Sequence, residues 1–453
     1  MKSGKVLLWS ITVALGGFLF GFDTAVISGA EKAIQKVWEL TAFEHGLTVS
    51  IALIGTVIGA MLGGIPSDTL GRKPTLFWIA ALYFISALGS ALAFDWYSFL
   101  AFRFLGGLGV GASSVTAPMY ISEISPANKR GKLVALFQFN IVFGILIAYF
   151  SNYLIGGGGN GVWRWMLGVE VFPAFAFLVS ILFVPESPRW LIVKKGKVEE
   201  AKLTLEIIDS ATSEEQVRAI LTSKYHEIAN HREKFFSKKY SLPITLAVLF
   251  ATFNQFSGIN AIIYYAPRIF EMAGLGTKSA LLSSAGMGAV NFVFTLIGLN
   301  LIDRYGRKKL MYVGSVGLIV TLALVAHAFY TQTFGIAVPI YLFAFIAFFA
   351  FSQGAVIWVF ISEIFPNQVR AKGQSLGSFT HWFFAAIIAF SFPYIASTLG
   401  GGNTFLIFSF MMVLQLLFVW KLMPETKGKS LEQLELGITE QEEEPAIVVG
   451  QNF

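Results

Sequence analysis

The chain contains no cysteine in 453 residues. A disulfide, a thiolate metal site and a cysteine nucleophile are therefore excluded. Charge is also scarce. Asp, Glu, Lys and Arg make up 13% of the residues, where soluble domains carry roughly 25%. The five histidines are scattered. They form no metal-spaced cluster, and no nucleophile triad is visible. No metal, no resident cofactor and no catalytic residue are expected, so an enzyme is the least favoured reading. A cleavable signal is not expected either, because the first apolar stretch runs from about Val6 to Ala30, longer than a typical signal-peptide core.

Apolar residues fill the chain instead. They account for 55% of it, with 45 Phe and 44 Gly, and the mean hydropathy is +0.67. Twelve apolar stretches lie near 6–30, 47–66, 74–94, 97–119, 132–155, 164–184, 242–266, 279–302, 309–330, 336–361, 372–395 and 404–423. Each approaches the roughly 20 residues needed to cross a bilayer. The fold class expected is an all-α membrane protein with twelve transmembrane helices. The connections alternate in charge. One set holds Arg72, Lys73, Lys129, Arg130, Lys132, the segment 189–239, Arg304, Arg307, Lys308, Lys309, Arg370 and Lys372, while the other holds only Lys32, Lys36, Arg164, Arg268 and Lys278. The positive-inside rule puts the first set and both termini in the cytoplasm. The net charge of +6 is thus an orientation signal, and no nucleic-acid partner is expected.

The chain also repeats itself. SDTLGRKP at 67–74 returns as IDRYGRKK at 302–309, SEISPANKRGK at 122–132 as SEIFPNQVRAK at 362–372, and VPESPR at 184–189 as MPETKG at 423–428. Three matched motifs in one order imply duplicated six-helix bundles with a site between them near the midplane. The expected division is 1–188 for the first bundle, 189–240 for a cytoplasmic linker of short amphipathic helices, 241–430 for the second bundle and 431–453 for an acidic, disordered tail. Asp68, Arg72, Glu123 and Arg130 recur as Asp303, Arg307, Glu363 and Arg370. A charge network spanning both bundles could bias a two-state equilibrium, and these eight residues are expected to latch the outward-open state. The run Gly106, Gly107, Gly109, Gly111 superficially suggests a nucleotide loop, but no strand precedes it, and helix packing is the better reading.

Three ionisable residues sit inside apolar stretches: Asp23, Arg103 and Glu170. A charge at the centre of a membrane helix costs on the order of 2.5–3.5 kcal/mol on insertion scales, so such groups face the bundle interior and pair. An acid whose cationic partner approaches and withdraws gains and loses a proton in step with that motion. Amides and aromatics in the same stretches can line a polar cavity, since an amide both donates and accepts hydrogen bonds. The candidates are Gln138, Gln255, Asn260, Tyr264, Asn291, Trp358, His381 and Trp382. Ser257-Gly258 should weaken the seventh span, so that a local break aims Gln255 and Asn260 into a cavity. Tyr264 could instead belong to a gate.

From Gly16 to Gly428, the motifs RFLGGLGVG, PESPRWL, QFSGIN, DRYGRK and PETKG resemble those of the sugar porter family of the major facilitator superfamily. The likeness is strongest to bacterial proton-coupled symporters of the xylose–proton type. The resemblance implies alternating access and import of a hexose or pentose. Asp23, Arg103 and Glu170 then match a coupling aspartate, its arginine and an auxiliary acid; Gln138, Gln255, Asn260, Tyr264, Asn291 and Trp358 match sugar contacts, and the position of His381, before Trp382, favours a sugar contact as well. Asn254, Ile145 and His381 depart from the common pattern and leave the sugar's identity open. The partners implied are a monosaccharide, a co-transported proton and the lipid bilayer, with the monomer as the working unit. A bacterial inner membrane fits, as does the absence of any Asn-x-Ser/Thr site. A facilitative uniporter is the rival on the same fold, and a transporter-like sugar sensor is the rival in another class.

Overall fold

The computed structural model describes residues 2–126, 129–156, 161–209, 212–229, 235–366 and 369–428, and all regular structure among them is helical. The acidic tail at 431–453 lies outside the described residues. The first half consists of α1 (Lys2–Val37), α2 (Ala42–Leu62), α3 (Arg72–Leu92), α4 (Trp96–Glu123), α5 (Arg130–Ile155) and α6 (Val162–Phe183). Thr41 and Glu44 close a capping box at the start of α2, and Asp95 caps the start of α4. Each supplies acceptors to amide groups that have no partner inside the helix. The linker forms α7 (Val198–Ile208) and α8 (Ser213–Ala229). In α7 the buried residues are Ala201, Thr204, Leu205 and Ile208, the spacing of one amphipathic face.

The second half consists of α9 (Ser241–Phe256), α10 (Thr277–Tyr305), α11 (Arg307–Thr331), α12 (Ala337–Glu363) and α13 (Arg370–Lys421). Two short helices, Ile259–Tyr264 and Ala266–Met272, continue α9. Eleven described helices are long and apolar enough to cross a membrane. The last of them counts twice. At 52 residues, α13 would run about 78 Å, well over twice the roughly 30 Å hydrocarbon core. Gly400, at φ 77° and ψ 162°, breaks it into two spans. Twelve spans result, as the hydropathy pattern implies.

The glycine run of α4 is a packing seam. A Cβ on Gly107 would lie 1.9 Å from the Ala52 carbonyl oxygen of α2, and one on Gly111 would lie 2.2 Å from that of Thr56. Only glycine permits such a backbone approach, so the run serves the packing of α4 on α2. The halves meet along α2 against α13 and α5 against α10. There, too, backbones nearly touch: a Cβ on Gly46 would lie 2.2 Å from the Phe390 oxygen. The membrane face that carries α7 and α8 is called the linker face below.

Candidate transport site

Asp23 of α1 and Arg103 of α4 form a buried ion pair, with Arg103 Nη1 on Asp23 Oδ1 and Nη2 on the Asp23 carbonyl oxygen at 3.4 Å. Asp23 is 4% exposed, Arg103 1% and Glu170 2%. Glu170 sits where α6 bends between Val162–Gly168 and Val171–Ser180, close enough to both partners to interact electrostatically. The three candidates for proton coupling are therefore brought together. Burial of all three makes the pairing obligatory, because a lone charge in low dielectric is too costly to keep.

Five of the eight sugar candidates, Gln255, Asn260, Trp358, His381 and Trp382, assemble on the other half. Gly258, at φ +82°, breaks α9, as the Ser257-Gly258 pair suggests. Across that break Asn260 Nδ2 donates to Gln255 Oε1 at 2.6 Å. Gln255 Nε2 reaches Asn254 Oδ1 at 2.9 Å and the His381 ring nitrogens at 3.1 and 3.2 Å. The His381 ring lies 4.9 Å from Trp358 and 4.7 Å from Trp382. This gives amide donors and acceptors beside aromatic faces, with Trp358 and His381 half-buried. Gln138 and Asn291 are half-buried too, but no hydrogen bond among the described residues joins them to this cluster. They flank Phe139 and Phe292, whose rings meet at 5.3 Å where α5 packs on α10. Tyr264 lies elsewhere. It is buried against Thr24 and close to Asp23 and Arg103, a C-terminal residue covering the N-terminal ion pair. Phe20 meets Trp382 at 5.3 Å. Phe20 of the first half thus touches the sugar cluster at Trp382, and Tyr264 of the second half lies beside the ion pair.

The motif charges on the linker face form two clusters, each inside its own half. Arg72 is bidentate to Glu123 at 3.0 and 3.0 Å and bonds Asp68 at 3.0 Å. Arg307 repeats this with Glu363 at 3.1 and 2.7 Å and Asp303 at 3.3 Å. Arg130 is exposed, and among the described residues no ion pair crosses between the halves on this face. Motif spacing did not disclose two further members. Glu186 accepts from the Arg72 and Lys73 amides at 3.0 and 3.2 Å, and Glu425 accepts from the Arg307 and Lys308 amides at 3.0 and 3.0 Å. Each caps the start of a helix with the acid of PESPR or PETKG. Burial pushes the Glu186 carboxyl above its ordinary range, with the amides of Ser187, Lys73 and Arg72 pulling the other way.

On the opposite face an ionic clasp, also not expected from the motifs, joins the halves. Glu31 of α1 accepts from Arg268 Nε at 2.9 Å and Nη2 at 2.7 Å, and Gln35 Oε1 accepts from Nη2 at 2.6 Å. His45 Nε2 of α2 lies 2.7 Å from Glu31 Oε2, and Lys32 pairs with Glu271. Tyr265 donates to the Ala389 oxygen at 3.0 Å. The only sequence signal was that Arg268 is one of few cations in its set of connections. This face is closed, while the linker face has no comparable bridge among the described residues.

A family model described as sugar (and other) transporter matches residues 9–437. The arabinose–proton symporter of Bacillus subtilis is 38% identical over 440 residues, covering 95% of this chain and 95% of the relative. The D-xylose–proton symporter of Escherichia coli is 38% identical over 474 residues, covering 96% of each. Among solved structures, the inward-open conformation of the xylose transporter XylE from Escherichia coli superposes with a TM-score of 0.84 at 35% identity, over 94% of this chain and 98% of that one. The same symporter bound to 6-bromo-6-deoxy-D-glucose gives 0.80 at 36% identity, over 96% and 99%.

Proposed function

From the premise that this chain belongs to the sugar (and other) transporter family, we propose that it imports a monosaccharide together with a proton by alternating access. It is a multi-pass membrane transporter and not an enzyme. One observation carries the coupled reading. The Asp23–Arg103 pair is buried in one half, while an amide and aromatic cluster, with Trp358 and His381 half-buried, stands in the other. Asp23 takes the proton and releases Arg103; Glu170 buffers the charge left behind. Gln255, Asn260 and His381 hydrogen-bond the sugar hydroxyls, Trp358 and Trp382 stack on its C–H face, and Gln138 and Asn291 complete the cavity when the halves close on it. Tyr264 reports the state of one half to the other. The protein needs no resident cofactor and works as a monomer. The linker face and both termini lie on the cytoplasmic side of a bacterial inner membrane, which supports import when the opposite face opens first.

The test is uptake into proteoliposomes across a sugar panel, with and without an imposed pH gradient. The parent should accumulate one or more sugars only when the outside is more acidic. Asp23→Asn should abolish accumulation yet keep exchange of labelled for unlabelled sugar. An Asp23→Asn variant that still concentrates sugar would leave a proton role for Asp23 without support.

A further inference from the structure

Asp23 is 4% exposed and Arg103 1%, although the linker face has no ion pair between the halves among the described residues. A proton on Asp23 therefore needs a route from this buried position to solvent. The interior of the first half supplies polar groups in the right order. At the level of Asp23, Ser86 of α3 faces Gly106 of α4, where an added Cβ would lie 2.3 Å from Ser86 Oγ and 3.8 Å from Asp23 Oδ1. Arg103 Nε is buried there without a hydrogen-bond partner among the described residues. Two turns nearer the linker face, the Tyr83 hydroxyl donates to the Gly16 oxygen at a long 3.4 Å. It interacts electrostatically with Asp23 and Glu170 and faces Ser113. Ser113 Oγ would lie 2.7 Å from a Cβ on Gly16, so α1, α3 and α4 converge at this level.

From Ser113 onward, α4 carries a polar stripe: Ser113, Thr116, Tyr120 and Glu123, spaced by three, four and three residues along one helix face. Ser113 and Thr116 are fully buried, and neither hydroxyl has a hydrogen-bond partner of good geometry among the described residues. A buried polar group left unpaired is destabilising, and natural interiors meet that need with ordered water. Orphaned hydroxyls one turn apart on one helix can both be served by a short file of water. Tyr120 donates to the Pro185 oxygen at 2.7 Å and stands before Glu123, which the linker-face cluster holds. From Ser113 to Glu123 the stripe rises about 15 Å at 1.5 Å per residue.

We propose that the first half contains its own hydrated proton path, running from Asp23 past Tyr83, Ser113 and Thr116 to Glu123 on the linker face, separate from the sugar cavity between the halves. The proton leaves the Asp23 carboxyl, whose electron pair remains on the carboxylate and re-forms the pair with Arg103. It passes along hydrogen bonds through water and hydroxyl oxygens and is delivered to solvent at the linker face. No electron moves, and no other reactant is needed. The proposal rests on the reading of Asp23 as the titrating group.

The test compares pH-driven net uptake with equilibrium exchange at equal pH on both sides, which needs no net proton movement. Ser113→Ala, Thr116→Val and the double variant should keep exchange and sugar affinity within about twofold of the parent. Their pH-driven uptake should fall, about tenfold for the double variant, the factor that about 1.4 kcal/mol on a limiting barrier produces. The solvent isotope effect on uptake should rise with it. Normal pH-driven uptake with normal exchange would overturn the path. If packing damage lowers both rates, accessibility decides. The chain has no native cysteine, so Ser113→Cys or Thr116→Cys places a single thiol on the stripe. A small charged methanethiosulfonate added from the linker face should modify that thiol with or without sugar, and an inert thiol would overturn the path. Asp23→Asn separates the two ideas: accumulation retained in that variant sinks the reading of Asp23, whereas accumulation lost there but kept in the hydroxyl variants sinks the path alone.

Discussion

Arg268→Ala should open the face opposite the linker. Glu31 is 1% exposed and receives two bonds from the guanidinium, at 2.9 and 2.7 Å, while the Arg268 side chain is 22% exposed. Removing one partner of a buried, hydrogen-bonded pair costs about 3–5 kcal/mol. His45 Nε2 remains 2.7 Å from the same carboxylate, and the rim position of Arg268 lets water partly replace it. A net cost of about 2 kcal/mol to the closed outer face is a fair working figure on the same scale. With that face open, Glu31 is hydrated and loses nothing, so the whole difference falls on the conformational equilibrium. At 1.36 kcal/mol per factor of ten, that is a shift of roughly 30-fold toward the outward-open state. The Lys32–Glu271 pair stays intact, but Lys32 is 63% exposed, and such pairs contribute only about 0–1 kcal/mol. Thr24, Ser28, Glu31 and Gln35 share the face of α1 turned toward the second half. Ser28→Cys, one turn below the clasp in a chain without other thiols, therefore reports the opening. An impermeant maleimide added from the outside should label it about tenfold faster or more once Arg268→Ala is introduced. Equal or slower labelling in a folded, monodisperse variant would refute the clasp as the element that closes this face.

Gly258→Ala should be strongly destabilising in the second half. It places a side chain at φ +82° and a Cβ 2.5 Å from Phe408, a strain on the order of 1–3 kcal/mol before the clash is counted, and it should lower the melting temperature and the sugar affinity together. Gln255→Ala removes the hub that bonds Asn254, Asn260 and His381. Equilibrium binding should weaken about tenfold, the equivalent of one good hydrogen bond, with the melting temperature within a few degrees of the parent. Glu186 offers a pH test. A carboxyl raised by burial holds more proton in the folded than in the unfolded state, so stability falls as pH rises from the ordinary carboxylate range through the raised value. Glu186→Gln should flatten that slope in a thermal-shift titration, and an unchanged slope would clear Glu186 of the effect.

The features legible in the sequence were those whose partners are local or repeated. The Arg72 and Arg307 clusters follow from motifs that recur with fixed spacing, because each arginine meets its aspartate one turn away and its glutamate at the end of a motif-bearing helix. The break at Ser257-Gly258 was legible because a glycine with positive φ has a local cost and a local signature. Intramembrane charges were legible because lipid makes each one an anomaly. The clasp was not legible. Glu31 and Arg268 are 237 residues apart and have no counterpart in the repeat, so nothing in either local sequence points to the other. The sequence left Tyr264 between a sugar contact and a gate, because its place beside Asp23 and Arg103 depends on how the two halves pack.

The two kinds of charge cluster divide the mechanical work between them. Arg72 and Arg307 each have their donors taken up inside one half, and Ser187 and Thr426 bond the same two glutamates at 2.5 and 2.6 Å. Such clusters tie the ends of the second, third, fourth and sixth helices of a bundle into one body, so they favour rocking of rigid halves over bending of single helices. The clasp does the opposite and ties α1 and α2 of one half to the segment after α9 of the other. A latch that held the linker face shut would have to recruit Glu123 and Glu363 while they still serve Arg72 and Arg307, through added contacts from Arg130 and Arg370. A carboxylate has lone pairs for more than two donors, so the added contacts need not break the existing ones. Closing that face would then strengthen both clusters as the clasp is lost. The two faces would exchange ionic interactions, so that neither state holds both sets at once.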